Sequence, residues 1–499
     1  MIFKNFTKVL FCLIFSVLFS GCDFLSLNFT SGDIDFTDFP KNNSADPFEN
    51  EKTYEKGDKA SFYISVKSNL ESKNFRADFV LKESGKHCNV WCVEKDSDYM
   101  MKNPLSSDVF TQVREKFDEI YPVQIQIFGD NKFSDSKWSN LLQKYDGKVN
   151  ILIYDIANDA CESQTGGIYG FFHSLDFHTD SNYSNKTECI NVDSFFFNKD
   201  PEGSFQTLFH EFQHLENFVN KVVLSSNNRS VSTWYNEMLS MLSEDIFTDL
   251  LGIELENAPA NRLNFFNAYY PLGFYQWRSG SDYFPSGDVY ISYANSYAFG
   301  AYLLRNFGGI KLIKEISQND FVDEESITNA LNDFTFSDVL LNFYQILFEN
   351  ESYSLNKEFS DNSFGCKLNI KAIDLKKFPA TEKIPYFVYD NANLYSSKKF
   401  PVSAYSFSVY KNPYGYSVND VQKNKNLDYK VISSNSFSYL IKTNATTHDI
   451  SQENSGYFVY KVFSEEKESR ALCSEIYPLP ENHVKRVEPV FSDKELLLK

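Results

Sequence analysis

Asp200-Pro201-Glu202-Gly203-Ser204-Phe205-Gln206-Thr207-Leu208-Phe209-His210-Glu211-Phe212-Gln213-His214-Leu215 is the stretch on which the reading of this chain turns. Its opening is a helix start: an acidic N-cap, proline in the first turn and a second acid favoured by the helix dipole. Phe205, Leu208, Phe209, Phe212, Leu215 and Val219 then recur at helical spacing and form a core-facing stripe. His210, Glu211 and His214 flank that stripe at its edge. Residues four apart share a helix face, so the two imidazoles can hold one metal ion. Glu211 lies beside them, placed to take a proton from a water on that ion. With only seven histidines in 499 residues, an H-E-x-x-H pattern is informative.

Working outward, Ser225-Ser226-Asn227-Asn228 ends this helix, and a second begins near Ser232 or Thr233. It runs to Leu251, with Gly252 as its C′ residue. Glu237 lies 23 positions after His214. That distance allows a helix end, a turn and an antiparallel return. Such a return can set the Glu237 carboxylate beside the imidazoles, giving a two-histidine, one-glutamate site with its fourth position open.

H-E-x-x-H followed by Asn236-Glu237-x-x-Ser240 resembles the gluzincin metallopeptidases. The order of a β-rich start, a strand, the motif helix and a Trp-x-Asn-Glu helix looks most like the hyicolysin-type peptidases of bacteria, over roughly residues 50 to 350. The resemblance implies His210, His214 and Glu237 as ligands of one zinc ion, Glu211 as general base, and a protein or peptide substrate. Thermolysin-like enzymes carry an Asp four residues after the ligand Glu, where this chain has Met241. Glu244, two turns along from Glu237, is the candidate for orienting a histidine instead, with Asn236 as a second neighbour of the site. Metzincins want Gly and His three and six residues after the second histidine; Asn217 and Asn220 stand there. The helix around Tyr293-Ala294-Asn295-Ser296-Tyr297 is similar to the tyrosine-bearing helix of other gluzincins. By that comparison Tyr293 donates to the developing oxyanion, with Tyr297 as runner-up.

The periodicity outside the motif sets the wider organisation. From about Lys52 to Glu94 the chain alternates as strands do, and Val149 to Asp155 is a strongly apolar strand. Val109, Phe110, Val113, Phe117 and Ile120 have helical spacing over 108–120. Alternation returns after Asp361. The expected fold is therefore α+β: a gluzincin-type zinc peptidase core, helical with a small sheet, over residues 101–360. A β-rich unit over 51–100 precedes it, and a C-terminal β-sandwich over 361–499 follows.

At the N-terminus, Lys4 and Lys8 precede the apolar run Val9 to Leu18, and Ser20-Gly21-Cys22 follows. This is the order of a secretory signal over residues 1–21, and its ending resembles a bacterial lipobox. Lipidation of Cys22 would hold the protein on the membrane of a bacterial cell envelope by its N-terminal lipid, with 22–50 as a flexible tether. Six further cysteines fit an oxidising compartment and allow about fifteen pairings, between which sequence does not choose; proximity suggests Cys88 with Cys92, Cys161 with Cys189, and Cys366 with Cys473. A net charge of −19 without any basic stripe excludes nucleic acid as a partner. The whole reads as an exported, lipid-anchored zinc endopeptidase. The alternatives are a surface binding or adhesin-like lipoprotein with a structural or vestigial metal site, and a zinc aminopeptidase. No G-x-M-E-N-type sequence favours the latter.

Overall fold

A computed structural model of the chain describes residues 53–68, 71–94, 104–156, 160, 167–225, 230–257, 259–278, 288–348, 352–378, 385–388, 402–412, 425–433, 438–450 and 457–460. The signal, the tether, Cys22, Cys161 and Cys473 lie outside the described residues. The chain divides into two compact units. One takes in Met1–Asn228, Ser243–Ala258 and Asn362–Leu368; the other takes in Arg229–Leu242, Pro259–Asp361 and Asn369–Lys499.

The first unit is built on a mixed six-stranded sheet. Its strands are β1 (Lys59–Ser68), β2 (Glu71–Ser84), β3 (Cys88–Val93), β4 (Val149–Tyr154), β5 (Gly170–Phe172) and β6 (Cys189–Asp193). They stand in the order β1-β2-β3-β4-β6-β5. The β1–β2, β2–β3 and β5–β6 pairs are antiparallel, while β3–β4 and β4–β6 are parallel. Parallel neighbours need a crossover, and helix α1 (Ser107–Phe128) supplies the one between β3 and β4. Strands β3, β4 and β6 are buried along their whole length, as befits strands covered on both faces. Phe62, Phe79, Leu81, Trp91, Leu152, Tyr154 and Phe171 fill one core.

Helix α1 runs well past the expected end at residue 120, through Pro122 to Phe128. An interior proline costs about 3 kcal/mol. The next turn buries Val123, Ile127 and Phe128 almost completely, and burial of such side chains contributes about 1.5–3 kcal/mol each. Packing therefore outweighs the lost hydrogen bond.

After β6, Asp193 caps the short α2 (Ser194–Lys199), accepting from the amides of Phe195 and Phe196. Helix α3 (Pro201–Phe218) carries the motif. Asp200 caps it by accepting from Gly203 N at 3.1 Å, with Pro201 at its first position. Phe209 and Phe212 pack on α1, their rings lying 6.0 and 5.0 Å from that of Phe117. The helix then passes into a π turn, Val219–Val223, where Leu224 N donates to Val219 O at 2.9 Å. Helix α4 (Thr233–Leu251) is continuous, and its residues from Ser243 onward belong to this unit. It ends at Gly252, whose φ of 73° admits the left-handed cap in which Ile253 N donates to Thr248 O.

In the second unit the first turns of α4 sit among aromatic rings. Trp234 lies 5.1 Å from Phe274 and 5.6 Å from Tyr405. Helices α5 (Leu263–Tyr269), α6 (Asp288–Asn306), α7 (Ile310–Gln318), α8 (Asp323–Leu331) and α9 (Phe336–Phe343) follow. Gly300 lets α6 cross α4 closely, since a Cβ there would fall 2.7 Å from Met238 Cγ. The described strands Asp428–Ser433, Ser438–Asn444, Ser406–Asn412, Pro385–Val388 and Tyr457–Tyr460 form one five-stranded sheet in that order. Among the described residues no helix is long and apolar enough to cross a membrane.

The expected disulfides are corrected. Cys88, Cys92, Cys189 and Cys366 are free thiols. Cys88 and Cys92 stand four residues apart on one extended strand, about 13 Å, whereas a disulfide needs Cα atoms within about 7 Å. Cys189 instead packs as a small apolar side chain in the core beside Trp91 and Leu152. Burial pushes the Cys88 and Cys189 thiols well up and Cys92 up to about 11. Among the described residues the cysteines give no support to an oxidising compartment.

Candidate metal centre

Helix α3 presents His210, Glu211 and His214 from the interior, with exposures of 0, 0 and 3 %. Burying three such groups costs several kcal/mol unless each finds a partner. The two imidazoles lie edge to face, their centroids 4.8 Å apart. Glu237, on α4, is also fully buried. One ligand atom from each of His210, His214 and Glu237 lies within 4.8 Å of the others. Zinc bonds of about 2.0–2.1 Å in a tetrahedron put ligand atoms roughly 3.4 Å apart, a spacing small side-chain rotations reach from this set. Two nitrogens and one carboxylate oxygen are the donors zinc takes while keeping a fourth position open. Among the described residues this is the one group of three metal-ligating side chains.

The continuity of α4 joins the glutamates to one another. Glu237 and Glu244 are seven residues apart, two turns and about 10 Å along nearly one face. Glu244 accepts a hydrogen bond from His210 Nδ1 at 2.6 Å, with both side chains buried. A proton held on Nδ1 leaves Nε2 with its lone pair free to bind a metal. Ser243 Oγ donates to Phe209 O at 3.2 Å, and Phe247 lies 6.2 Å from Phe209, so this end of α4 is locked on α3.

Glu211 is held from the sheet. Its Oε2 accepts from the backbone N–H of Phe172, on β5, at 2.9 Å. The strand comes that close because Gly170 has no side chain: a Cβ there would lie 2.8 Å from both Asn191 O and Thr207 Cγ2, and 3.4 Å from Glu211 Cγ. Neither β5 nor this contact is legible in the sequence. A three-residue strand has no readable period, and a backbone donor leaves no residue signature.

The remaining candidates fall as follows. Asn236 is half-buried on α4, and its carbonyl accepts from Ser240 Oγ at 3.3 Å. Tyr293 is buried on α6 with its ring edge-on to Trp277 at 4.9 Å, and Tyr297 is fully buried one turn on. Outside that set, and not among the candidates, His178 Nδ1 stands 3.8 Å from Asp180, and burial pushes the His173 imidazole down to about 4.

Known proteins share this arrangement of sequence. Over 271 residues the chain is 29 % identical to the neutral metalloprotease ShpI of Staphylococcus hyicus, covering 52 % of this chain and 55 % of that protein. The chain thus spans about half the length of the curated relative it matches. The family model for peptidase M30 matches residues 78–352, a stretch of more than half the chain that runs from β2 past α9 and contains His210, Glu211, His214 and Glu237. On that match, the chain belongs to the peptidase M30 family.

Proposed function

We propose that this chain is an exported, lipid-anchored zinc endopeptidase of the bacterial cell envelope. The observation that carries the catalytic part is the buried convergence of His210, His214 and Glu237 around a helix that also bears Glu211. A zinc ion bound there supplies Lewis acidity, polarising a scissile carbonyl and making water a better acid. Glu211 takes the proton from the attacking water and returns it to the leaving amine. Glu244 keeps His210 in the metal-binding tautomer through its Nδ1. Tyr293 donates to the oxyanion, a role that rests on the likeness of its helix to those of other gluzincins. The chain carries no G-x-M-E-N-type sequence, the acidic anchor by which an aminopeptidase would hold a free amino terminus. That favours cleavage within a polypeptide. The similarity to a neutral metalloprotease supports the same reaction class. Export and anchoring are supported by the Lys4–Lys8 basic start, the apolar run to Leu18 and Ser20-Gly21-Cys22.

The test pairs zinc stoichiometry with casein hydrolysis for the full chain and Glu211→Gln. One zinc in each and a fall in turnover of roughly 10²- to 10⁴-fold in the variant are expected. A variant that keeps both metal and full activity removes Glu211 as the base. A wild type that holds zinc and cleaves no protein or peptide replaces the enzyme with a binding lipoprotein. For the anchor, Cys22→Ser should move the chain from the detergent phase to the aqueous phase; unchanged partitioning defeats it.

A further inference from the structure

Strand β5 pairs with β6 as Gly170↔Val192, Phe171↔Asn191 and Phe172↔Ile190. Asp193 N donates to Tyr169 O at 2.7 Å, which makes Tyr169–Asp193 a hydrogen-bonded pair of this ladder. Bonded and non-bonded pairs alternate in antiparallel strands. Phe171 is therefore the next residue whose N–H faces β6, and the N–H groups of Gly170 and Phe172 face away from it, at the edge of the sheet. At Phe172 that outward donor meets a fully buried carboxylate oxygen, Glu211 Oε2, at 2.9 Å.

We propose that the Phe172 backbone N–H is the positioning group for Glu211. By holding Oε2 it fixes the rotamer and plane of the carboxylate relative to the histidines on the same helix. Gly170 is the residue that makes the approach possible, since any Cβ there would wedge β5 away from α3. The amide touches neither a metal nor a substrate; it acts through Glu211. Its kinetic consequence rests on the peptidase reading above, while the hydrogen bond itself does not.

Two measurements on the full chain test it. Phe172→Pro deletes the N–H but breaks no ladder bond, because that N–H faces outward. Phe172→Leu keeps the N–H while losing the ring that meets Phe177 and Phe218. With zinc content equal, kcat of Phe172→Pro should fall roughly 10- to 100-fold below that of Phe172→Leu, the scale of a hydrogen bond to a charged group, with KM within about twofold. Equal kcat in the two variants overturns the proposal. The second measurement needs no activity. Amide exchange is followed by NMR on chain labelled with ¹⁵N-phenylalanine, with the Phe172 signal assigned by its loss in Phe172→Leu. Glu211→Ala should speed exchange at Phe172 by about tenfold or more, since no ladder bond protects that amide. Unchanged protection overturns the proposal. A wild type without peptidase activity, or a Phe172→Pro chain that does not fold, leaves the exchange result to decide.

Discussion

Helix α3 carries buried acid on two faces, and the two clusters deal with it differently. On one face Glu211 stands with His210 and His214, near Glu237 and Glu244, and every member is a ligand, a base or an orienting partner in the proposed chemistry. Glu216 is five residues on, about 140° around the helix, and accepts from Gln124 Nε2 at 3.0 Å. In the same region Asn131 Nδ2 donates to Glu188 Oε2 at 2.7 Å, and Tyr121 OH donates to Asn131 Oδ1 at 2.6 Å. One oxygen of Glu188 and one of Glu216 lack a hydrogen-bond partner. Burial pushes both carboxyls well above the usual carboxylate range, Asp130 raises each further, and Glu188 raises Glu216. Burial therefore makes the second cluster hold its protons more tightly than free carboxyls do, whereas the first offers its donors to a cation in the proposed chemistry. Equal burial does not imply equal chemistry; a pair of imidazoles, one of them oriented by Glu244, separates a candidate metal site from a pair of buried acids.

The largest effect expected is on the first cluster. Glu237→Ala should drop bound zinc, read by metal analysis at micromolar zinc, from about one per chain to near none, with hydrolysis falling about 10³-fold or more. A variant that still binds zinc stoichiometrically would remove Glu237 from the ligand set. A smaller effect follows from Glu244→Gln, which weakens the hold on the His210 tautomer: zinc affinity in chelator competition should fall about 10- to 100-fold. Unaltered affinity would show that the 2.6 Å contact only fills space. The smallest effect belongs to the second cluster. A carboxyl whose folded pKa is raised binds its proton more tightly in the native chain, so its stabilising share is present at acid pH. That share is lost as pH rises above the ordinary carboxylate range, by up to about 1.4 kcal/mol per pH unit per group. Glu188→Gln should flatten this fall in urea unfolding above the ordinary carboxylate range while leaving hydrolysis at neutral pH within about twofold. An equal loss of stability at every pH would mean that Glu188 is not protonated.

Much of the first cluster can be read from residue spacing, and almost none of the second can. Helices α3 and α4 announce their ends through Asp200-Pro201 and Gly252, because caps are local chemistry. Histidines and glutamates at helical intervals carry their geometry in their numbering. Strand β6 alternates visibly once known, but five residues that run straight into a helix do not stand out. Helix α1 outruns the expected stop because tertiary burial outweighs Pro122. The cysteines mislead for the opposite reason: nearness along an extended strand is distance in space. Glu188 and Glu216 look like surface acids in the sequence, and only the packing around them removes their water. Phe172 contributes a main-chain group, which no side-chain pattern can reveal.

The π turn at Val219–Val223 has a consequence for how this chain tolerates changes in length. An i→i+5 turn holds one residue more than the α-helical turn it replaces. Deleting a single residue between 219 and 223 can be absorbed by closing that turn as α-helix, upstream register untouched. The same deletion between Pro201 and His210 would swing the capped start of the helix by about 100° relative to the histidines. Relatives that differ in length near this helix should carry their gaps after Phe218 and not before His210.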